Sequence, residues 1–513
     1  MWWDLENQIF AAAKRRIKEH ETYAQAVHDE NARRRRRSTG LPAQLQVRRP
    51  ETWELDPGFN PYLVKSNHRR IAHSVSEQLK SGTYTPRRPA GFIVPKPYGG
   101  HRVVSTFQVA DEVISNQLLR SLLSKNLPKL SARAYAYRPD IGPHDAIAYI
   151  SSEFAREHRI YVAEFDFSKF FDHLSHSAIY ETLDRMRIIR TPIEQQLIER
   201  FLRTPSPYTN AQEKLFKAEE RDQGIPQGTS LSLFLANIAA SELDRSLERL
   251  GVGFVRYADD TLIWSSNYAQ LGEAVSELHS ASQRLGSEIN AKKSPGIRLL
   301  TSDATMYSEM SSTKRVDYLG HSLGLRNVEM KASSIARIKA RISQLIYTNL
   351  LLEPSSNTQD VSRITNVDRD YVTLIWQLRR YLYGELTEKD VQKYLKGSIP
   401  AISFKGVMSF FPLVDNEEEL MNLDNWIATQ IWLALRKRSK LLSQQVSSLP
   451  NPHGLRKNEL IEFSSRSPRT NNVVDLRIPS VRRINRVIQL AVSIHGLGSV
   501  SNASPLYLYS QDT

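Results

Sequence analysis

The sequence predicts an α+β protein, with strands and helices mixed up to about residue 325 and helices alone beyond it. Three observations predict this. The stretch Phe254–Trp264 holds two runs of aromatic and β-branched residues around Ala258-Asp259-Asp260, the composition of two paired strands joined by a short turn. Val162–Phe165 is a further apolar strand that ends at Asp166. Leu271, Val275, Leu278, Leu285 and Ile289 recur at spacings of three, four or seven, one stripe of a helix that packs behind a sheet. Strands and helices that alternate in this order suit a split βαβ sheet of ferredoxin-like type.

Composition bounds the function. A chain of 513 residues with 40% hydrophobic content buries a large core and divides into several domains. The formal net charge of +14 and a pI near 9.6 fit a polyanionic partner, because neutralising phosphates releases their counterions. There are no cysteines, which excludes disulfides and cysteine-ligated zinc and is compatible with a reducing cytoplasm. No apolar run has the length of a membrane span, and Met1–Glu6 lacks the basic-then-apolar order of a secretion signal. The expectation is a soluble, cytoplasmic protein with no membrane partner.

Each element follows in order. Leu5–Val27 reads as a helix, and the run Arg33–Arg37 after it is either a solvated stretch or a grip on RNA backbone. Pro97-Tyr98-Gly99-Gly100 is a hairpin signal that puts Lys96 and Arg102 on one tip. Gly224-Ile225-Pro226-Gln227-Gly228 is a turn running into a helix with Asp244 near its end; two glycines around a proline let the backbone approach a flat ligand closely. Lys293-Ser294 follows a helix, and Tyr318-Leu319-Gly320 reads as a short hairpin.

Beyond Gly320 the character changes. Ile335, Ile338, Ile342 and Leu345 form one helical face, while Lys331, Arg337, Lys339 and Arg341 line the others, a pattern that packs inward and meets nucleic-acid backbone outward. Glu353–Gln359 reads as a linker. Helical patterns follow at Asp370–Tyr383 and Leu423–Leu442, the second ending in Arg436-Lys437-Arg438, where cations complement a helix C-terminus. Arg477, Arg482, Arg483 and Arg486 near Val481, Ile484 and Val487 predict another basic helix.

An Asp-Asp pair in a turn is by itself an ordinary solvated turn, and Asp166 by itself is an ordinary strand end. Their company carries the weight. The ordered segments Phe165–Asp172, Gly224–Ile238, Tyr257–Asp260, Ala291–Ser294 and Tyr318–Gly320 resemble the palm of reverse transcriptases. The likeness is closest to bacterial ones: the group II intron-like, retron, abortive-infection and defence-associated (unknown-group) enzymes. Ile93–Arg102 and Ala134–Pro139 with His144–Ile147 extend it upstream, so that it covers roughly residues 60 to 345.

The resemblance implies a right-hand polymerase. Its parts are an N-terminal helical basic extension (1–60), fingers (61–150), a ferredoxin-like catalytic palm (151–325), a helical thumb (326–400) and a helical C-terminal domain (401–513). It implies RNA-directed DNA synthesis from dNTPs by two divalent cations about 3.5–4 Å apart, Mg²⁺ by the oxygen donors with Mn²⁺ as the alternative. Asp166, the backbone of Phe167, Asp259 and Asp260 would hold them, Asp166 and Asp259 bridging both. Lys96 and Arg102 would close over the triphosphate. Phe171 would lie under the sugar and exclude a 2′-hydroxyl, and Gln227 would lie near the incoming nucleotide. Lys293, or Lys292 in its place, would serve as general acid. Arg337, Lys339 and Arg341 would touch nucleic acid.

The partners so implied are an RNA template, dNTPs and a DNA product, with a dedicated noncoding RNA, an accessory protein or a second copy of the chain as further expectations. A polymerase core followed by a large helical region, in a chain without the cysteines of the intron-encoded endonuclease, resembles the antiviral defence enzymes. The alternatives are a group II intron-derived maturase, to whose following region Leu423–Ile427 bears a short likeness, and an RNA-binding scaffold with a vestigial polymerase site. Tyr507 and Tyr509 are candidates for protein priming as well as ordinary tail tyrosines.

Overall fold

In the computed structural model, which describes residues 4–95, 101–216, 218–302, 310–399, 404–466 and 473–500, the carboxylate-bearing strands share one sheet. Ahead of it lie α1 (Leu5–Arg37), α2 (Pro61–Lys80), the hairpin of β1 (Ala90–Pro95) and β2 (His101–Thr106), and α3 (Val109–Asn126). Next come α4 (Pro143–Phe154), β3 (Arg159–Asp166), the short α5 (Phe170–His173) and α6 (His176–Arg185). Then α7 (Ser230–Ala239), α8 (Ser241–Leu250), β4 (Gly253–Tyr257), β5 (Asp260–Ser265), α9 (Tyr268–Leu285) and β6 (Gly296–Thr301) follow.

The sheet has the order β4-β5-β3-β6, antiparallel throughout, with a parallel two-residue edge strand β7 (Ser312–Thr313) beside β6. This is the expected ferredoxin-like arrangement, in which the two ends of the βαββαβ chain interleave. Side chains alternate between two cores, as strand geometry demands. Val162, Leu262 and Trp264 join α4 and the later chain on one face. Ala163, Phe165, Phe254 and Ile263 join α2, α3 and the helices α6 to α9 on the other. Burial on both faces explains why β3 reads as an almost unbroken apolar run. The helix α9 is punctuated as its sequence suggests, with Asn267 Oδ1 accepting from Ala269 N at 2.9 Å and Gly286 closing it.

The hairpin of β8 (Val316–Tyr318) and β9 (His321–Leu323) turns through Leu319 and Gly320, and β10 (Val328–Met330) completes a small sheet. From there the chain is helical in the main: α10 (Ala332–Ile346), a π-helical turn Tyr347–Leu351, α11 (Arg369–Tyr383), α12 (Glu417–Leu442) and α13 (Val481–His495). Asn416 caps α12, which opens on Glu417, Glu418 and Glu419, acids that suit the positive end of the helix dipole. Ile338 and Ile342 of α10 share a single hydrophobic cluster with Leu374, Leu423 and Ile484. The helices on either side of residue 400 therefore bury one core in common. Among the described residues, no helix is long and apolar enough to cross a membrane.

Two segments differ from their sequence expectation for one reason. The arginine run does not trail into solvent, because α1 continues through it to Arg37, whose buried side chain donates to Asn349 Oδ1 at 3.2 Å. Glu353–Gln359 is no free linker, because Gln359 and the Leu350 carbonyl both accept from Arg438, at 3.0 and 2.9 Å. Arg438 is fully buried and also donates to Asp368 and Asp370, while His453 Nε2 lies 2.9 Å from Asp368 Oδ2. Burial pushes the Asp368 carboxyl up, but Arg438 and His453 outweigh it and hold the group below the usual range. A buried ionic cluster of this kind demands its partners, and they come from three distant stretches of chain.

Candidate active site

Register brings the carboxylates together. Asp166 ends β3 directly opposite Asp260, the first residue of β5, so their side chains leave the same face of the sheet. Asp259 is the second residue of the two-residue turn between β4 and β5, and Ala258 before it takes a left-handed backbone at φ +61°. The hairpin is the one its flanks predict.

Three carboxylates in so small a volume repel one another. Burial, then the charges of Asp166, Asp259 and Glu164, push the Asp260 carboxyl up to about 7. Lys293 answers part of that charge: its Nζ lies 2.9 Å from Asp166 Oδ2, and the hydrogen bond raises the ammonium above its usual range. Asn290 Nδ2 donates to the same oxygen at 3.1 Å. Of the two lysines considered, Lys293 is the one whose amine meets Asp166.

The donor set suits a hard divalent cation, since it offers carboxylate oxygens alone and their repulsion is what such an ion relieves. Among the described residues, however, no three His, Cys, Asp or Glu side chains are gathered closely enough to hold one ion as they stand. Lys293 occupies Asp166 instead. The residues fit a metal by chemistry, and an ion bound through Asp166 Oδ2 would displace the ammonium from that oxygen.

A pH dependence follows. The folded Asp260 pKa lies above that of an unfolded aspartate, so between pH ~4 and ~7 the folded protein binds a proton that the unfolded chain releases. Stability of the metal-free protein should therefore fall as pH rises through that window, by up to about 4 kcal/mol, and level off above it. Urea titrations in chelator at pH 5 and 8 test this, and Asp260→Asn should flatten the difference. Divalent-metal affinity should run the other way, rising with pH towards 7, because binding requires the carboxylate.

The turn Gly224–Gly228 is held by backbone bonds against the α5 segment that follows Asp166. Ile225 N donates to the Phe171 carbonyl at 2.6 Å and Gly224 N to the Leu174 carbonyl at 2.7 Å. Gly224 (φ +77°) and Gly228 (φ +109°) both need the left-handed freedom of glycine. A Cβ on Gly224 would strike the Asp172 carbonyl, and one on Gly228 the Ser105 carbonyl of β2. Gly228 thus seats the turn against the β1–β2 hairpin. Gln227 is half-buried and donates to Asp172 Oδ1 at 3.1 Å. Phe171 is half-buried with its ring edge-on to Phe170 at 5.9 Å, while Phe170 and Phe167 are core. The Phe167 backbone bridges Ile289 just past Asp166.

The remaining expected residues divide. Lys96 and the side chain of Arg102 lie outside the described residues, as do Tyr507 and Tyr509; the Arg102 backbone pairs with Val94 in the β1–β2 hairpin. On α10, Arg337 is exposed and donates to Ser334 Oγ at 3.3 Å. Arg341 pairs with Gln344. Lys339 instead turns inward, its Nζ 5.3 Å above the Trp426 ring of α12.

Sequence reasoning missed the groups that hold the site. Arg256 of β4 is buried and forms a two-pronged ion pair with buried Asp244 of α8, both bonds at 2.6 Å. Its Nη1 also donates to Asn237 Oδ1 and to the Ala258 carbonyl, each at 3.0 Å, so the guanidinium grips the turn that carries Asp259. The Tyr318 hydroxyl donates to the Asp260 carbonyl at 2.9 Å, and Ser294 lies 3.3 Å from Asp166 N. A signal existed for Arg256: it is a charge inside an otherwise apolar strand. Its partner was not readable without the fold.

Residues 94–323 match the family model described as reverse transcriptase (RNA-dependent DNA polymerase). The chain is 25% identical over 214 residues to Protein YkfC of Escherichia coli, covering 41% of this chain and 54% of that protein. It is 25% identical over 219 residues to the group II intron-encoded protein LtrA of Lactococcus lactis, covering 42% of this chain and 35% of that protein. The chain therefore spans about half or less of the curated relatives it matches. Among solved structures, a telomerase from Candida albicans superposes with a TM-score of 0.39 at 13% identity, covering 76% of this chain and 67% of that one.

Proposed function

We propose that this protein, whose residues 94–323 are a reverse-transcriptase domain related to those of group II intron-encoded proteins, copies an RNA template into DNA from dNTPs. One observation carries the reading: Asp166 faces Asp260 across the β3–β5 pair with Asp259 at the adjoining tip, a cluster whose charge calls for a cation. Enzymes of this family work with divalent metal ions, and by donor type Mg²⁺, with Mn²⁺ as the alternative, suits Asp166, Asp259, Asp260 and the Phe167 backbone. Such ions would activate the primer hydroxyl and stabilise the leaving pyrophosphate.

The chain's own residues do the rest. Lys293, kept protonated by Asp166, would give up its hold on that carboxylate and supply a proton to the leaving group. Gln227, braced by Asp172, would lie near the incoming nucleotide, and Phe171 would limit room at its sugar. Lys96 and Arg102 would bind the triphosphate. Arg337 and Arg341 would meet the backbone of the template duplex, with Lys339 contributing only if it leaves Trp426.

The test is to purify the protein with its bound nucleic acid, supply Mg²⁺ and dNTPs, and sequence the products. DNA complementary to a co-purified RNA supports the reading and identifies the template, whether a dedicated noncoding RNA or another. No incorporation, even on an added primed RNA template, overturns it in favour of an RNA-binding scaffold. Phe171→Val should raise use of ribonucleotides by about tenfold or more by admitting the 2′-hydroxyl; unchanged discrimination in single-nucleotide extension would remove Phe171 from the sugar site.

We further propose, on the resemblance to defence-associated enzymes, that the activity serves antiviral defence in the cytoplasm. A phage challenge in which wild type and Asp259→Ala protect equally would separate polymerisation from any such role.

A further inference from the structure

The outer face of α11 has a composition that its fold does not require. Its inner face, with Tyr371, Leu374, Ile375, Leu378 and Leu382, is fully buried. The opposite stripe is Arg369, Thr373, Trp376 and Arg380, spaced by four, three and four, so that all four lie within one narrow arc of the helix. It spans about 16 Å from Arg369 to Arg380.

Trp376 is 58% exposed, and its surroundings set it apart from the other described tryptophans. Trp53 packs against His20 and Tyr62, and Trp264 against Tyr149 and Phe154. Trp426 lies under Lys339 and Trp432 under Arg436. Among the described residues Trp376 has no ring or cation partner, and the side chains of Arg369 and Arg380 have no hydrogen bond or ion pair. The helix is nonetheless firmly placed, since Gln377 beside Trp376 accepts from Asn349 at 2.6 Å, and Asn349 accepts from Arg37. A rigid helix thus presents an open indole between two uncommitted guanidinium groups.

We propose that this stripe of α11 is a docking surface for single-stranded RNA, separate from the site at Asp166, Asp259 and Asp260. The indole offers a π-face on which an unpaired base stacks, and Arg369 and Arg380 meet phosphates on either side of it. Charge complementarity selects a polyanion over an apolar partner, since an apolar contact would leave both cations without counter-charge. The choice of RNA over DNA rests on the proposed reaction, whose template is RNA.

The test uses the full-length protein with its polymerase cleft saturated by unlabelled primer–template, and a short fluorescent single-stranded RNA as probe. Trp376→Ala should weaken binding about tenfold or more, and Trp376→Phe should recover most of the loss. Arg369→Glu with Arg380→Glu should weaken it further and lower the salt dependence by about one to two phosphate contacts. These exposed substitutions should leave the melting temperature unchanged. Binding unchanged within about twofold in both variants overturns the proposal. So does a Trp376→Ala protein that binds RNA normally but sediments as a smaller species, which would make the stripe an interface between copies. Extension of a short primed template, measured in parallel, is expected to persist in Trp376→Ala. Its absence from wild type alongside a Trp376-dependent RNA affinity would count against the polymerase reading alone.

Discussion

Asp259→Ala is expected to abolish nucleotide incorporation, by about 10³-fold or more, while leaving the protein folded. The two halves of this expectation have one cause. Asp259 stands at the tip of the β4–β5 turn, where its charge raises the neighbouring Asp260 carboxyl. Without metal that charge repels Asp260 and attracts Lys293, so removing it should leave the melting temperature in chelator close to the wild-type value. With metal and nucleotide the same carboxylate would, on the proposed reading, serve as a ligand that Glu164 cannot replace, since Glu164 is engaged by Arg298. The assay compares dNTP incorporation on a primed RNA template with thermal melting of the same preparations. Incorporation within about tenfold of wild type would mean that Asp259 is no ligand. Lost incorporation with a lowered melting point would point to damage of the hairpin instead.

The second large effect lies behind the turn. Arg256→Met should destabilise the protein by about 3–5 kcal/mol, because it strands the buried Asp244 carboxylate without its partner. Replacing both, as Arg256→Met with Asp244→Leu, should restore most of the stability, since an apolar pair of similar volume substitutes for a buried ion pair at little cost. Activity should not return with it. The double variant still lacks the bond from Arg256 to the Ala258 carbonyl, and Ala258 sits in a left-handed backbone that disfavours a residue with a Cβ. Freed of that grip, the tip that carries Asp259 should wander, with a fall in kcat of about 10–100-fold and little change in KM for dNTP. A double variant with wild-type kcat would reduce the pair to a structural role. The comparison separates stability from positioning, which neither single substitution can do.

Much of the palm was legible in the chain. The alternation in Phe254–Trp264 and the apolar run before Asp166 depend on local geometry: a strand presents successive side chains to opposite faces, and burial on both faces leaves a continuous apolar signature. Helix caps such as Asn267 and Gly286 are equally local. The glycines at 224 and 228 were legible as a turn, but not as the point where the turn meets Ser105 of β2. The arginine run read as either a solvated stretch or a grip on RNA backbone, and the burial of Arg37 was not legible because its partner Asn349 lies in a distant helix. Lys339 looked like a nucleic-acid contact because amphipathic periodicity distinguishes a buried face from the rest, whereas only packing shows that Trp426 covers it.

The sequence by itself determined the elements, their order and the chemical type of the candidate site: carboxylates at one strand end and one hairpin tip, cations beyond, no cysteine. These are written in nearest-neighbour terms, as period, turn residues and residue type. Tertiary structure alone decided that Asp166 faces Asp260, that Lys293 rather than Lys292 holds Asp166, and that Arg256 and Asp244 fix the tip. It also decided that α10 shares its core with α11, α12 and α13. Each of these is a contact between residues far apart in the chain, and such pairings are set by strand register and by the shape of a shared core, neither of which any local stretch of sequence contains.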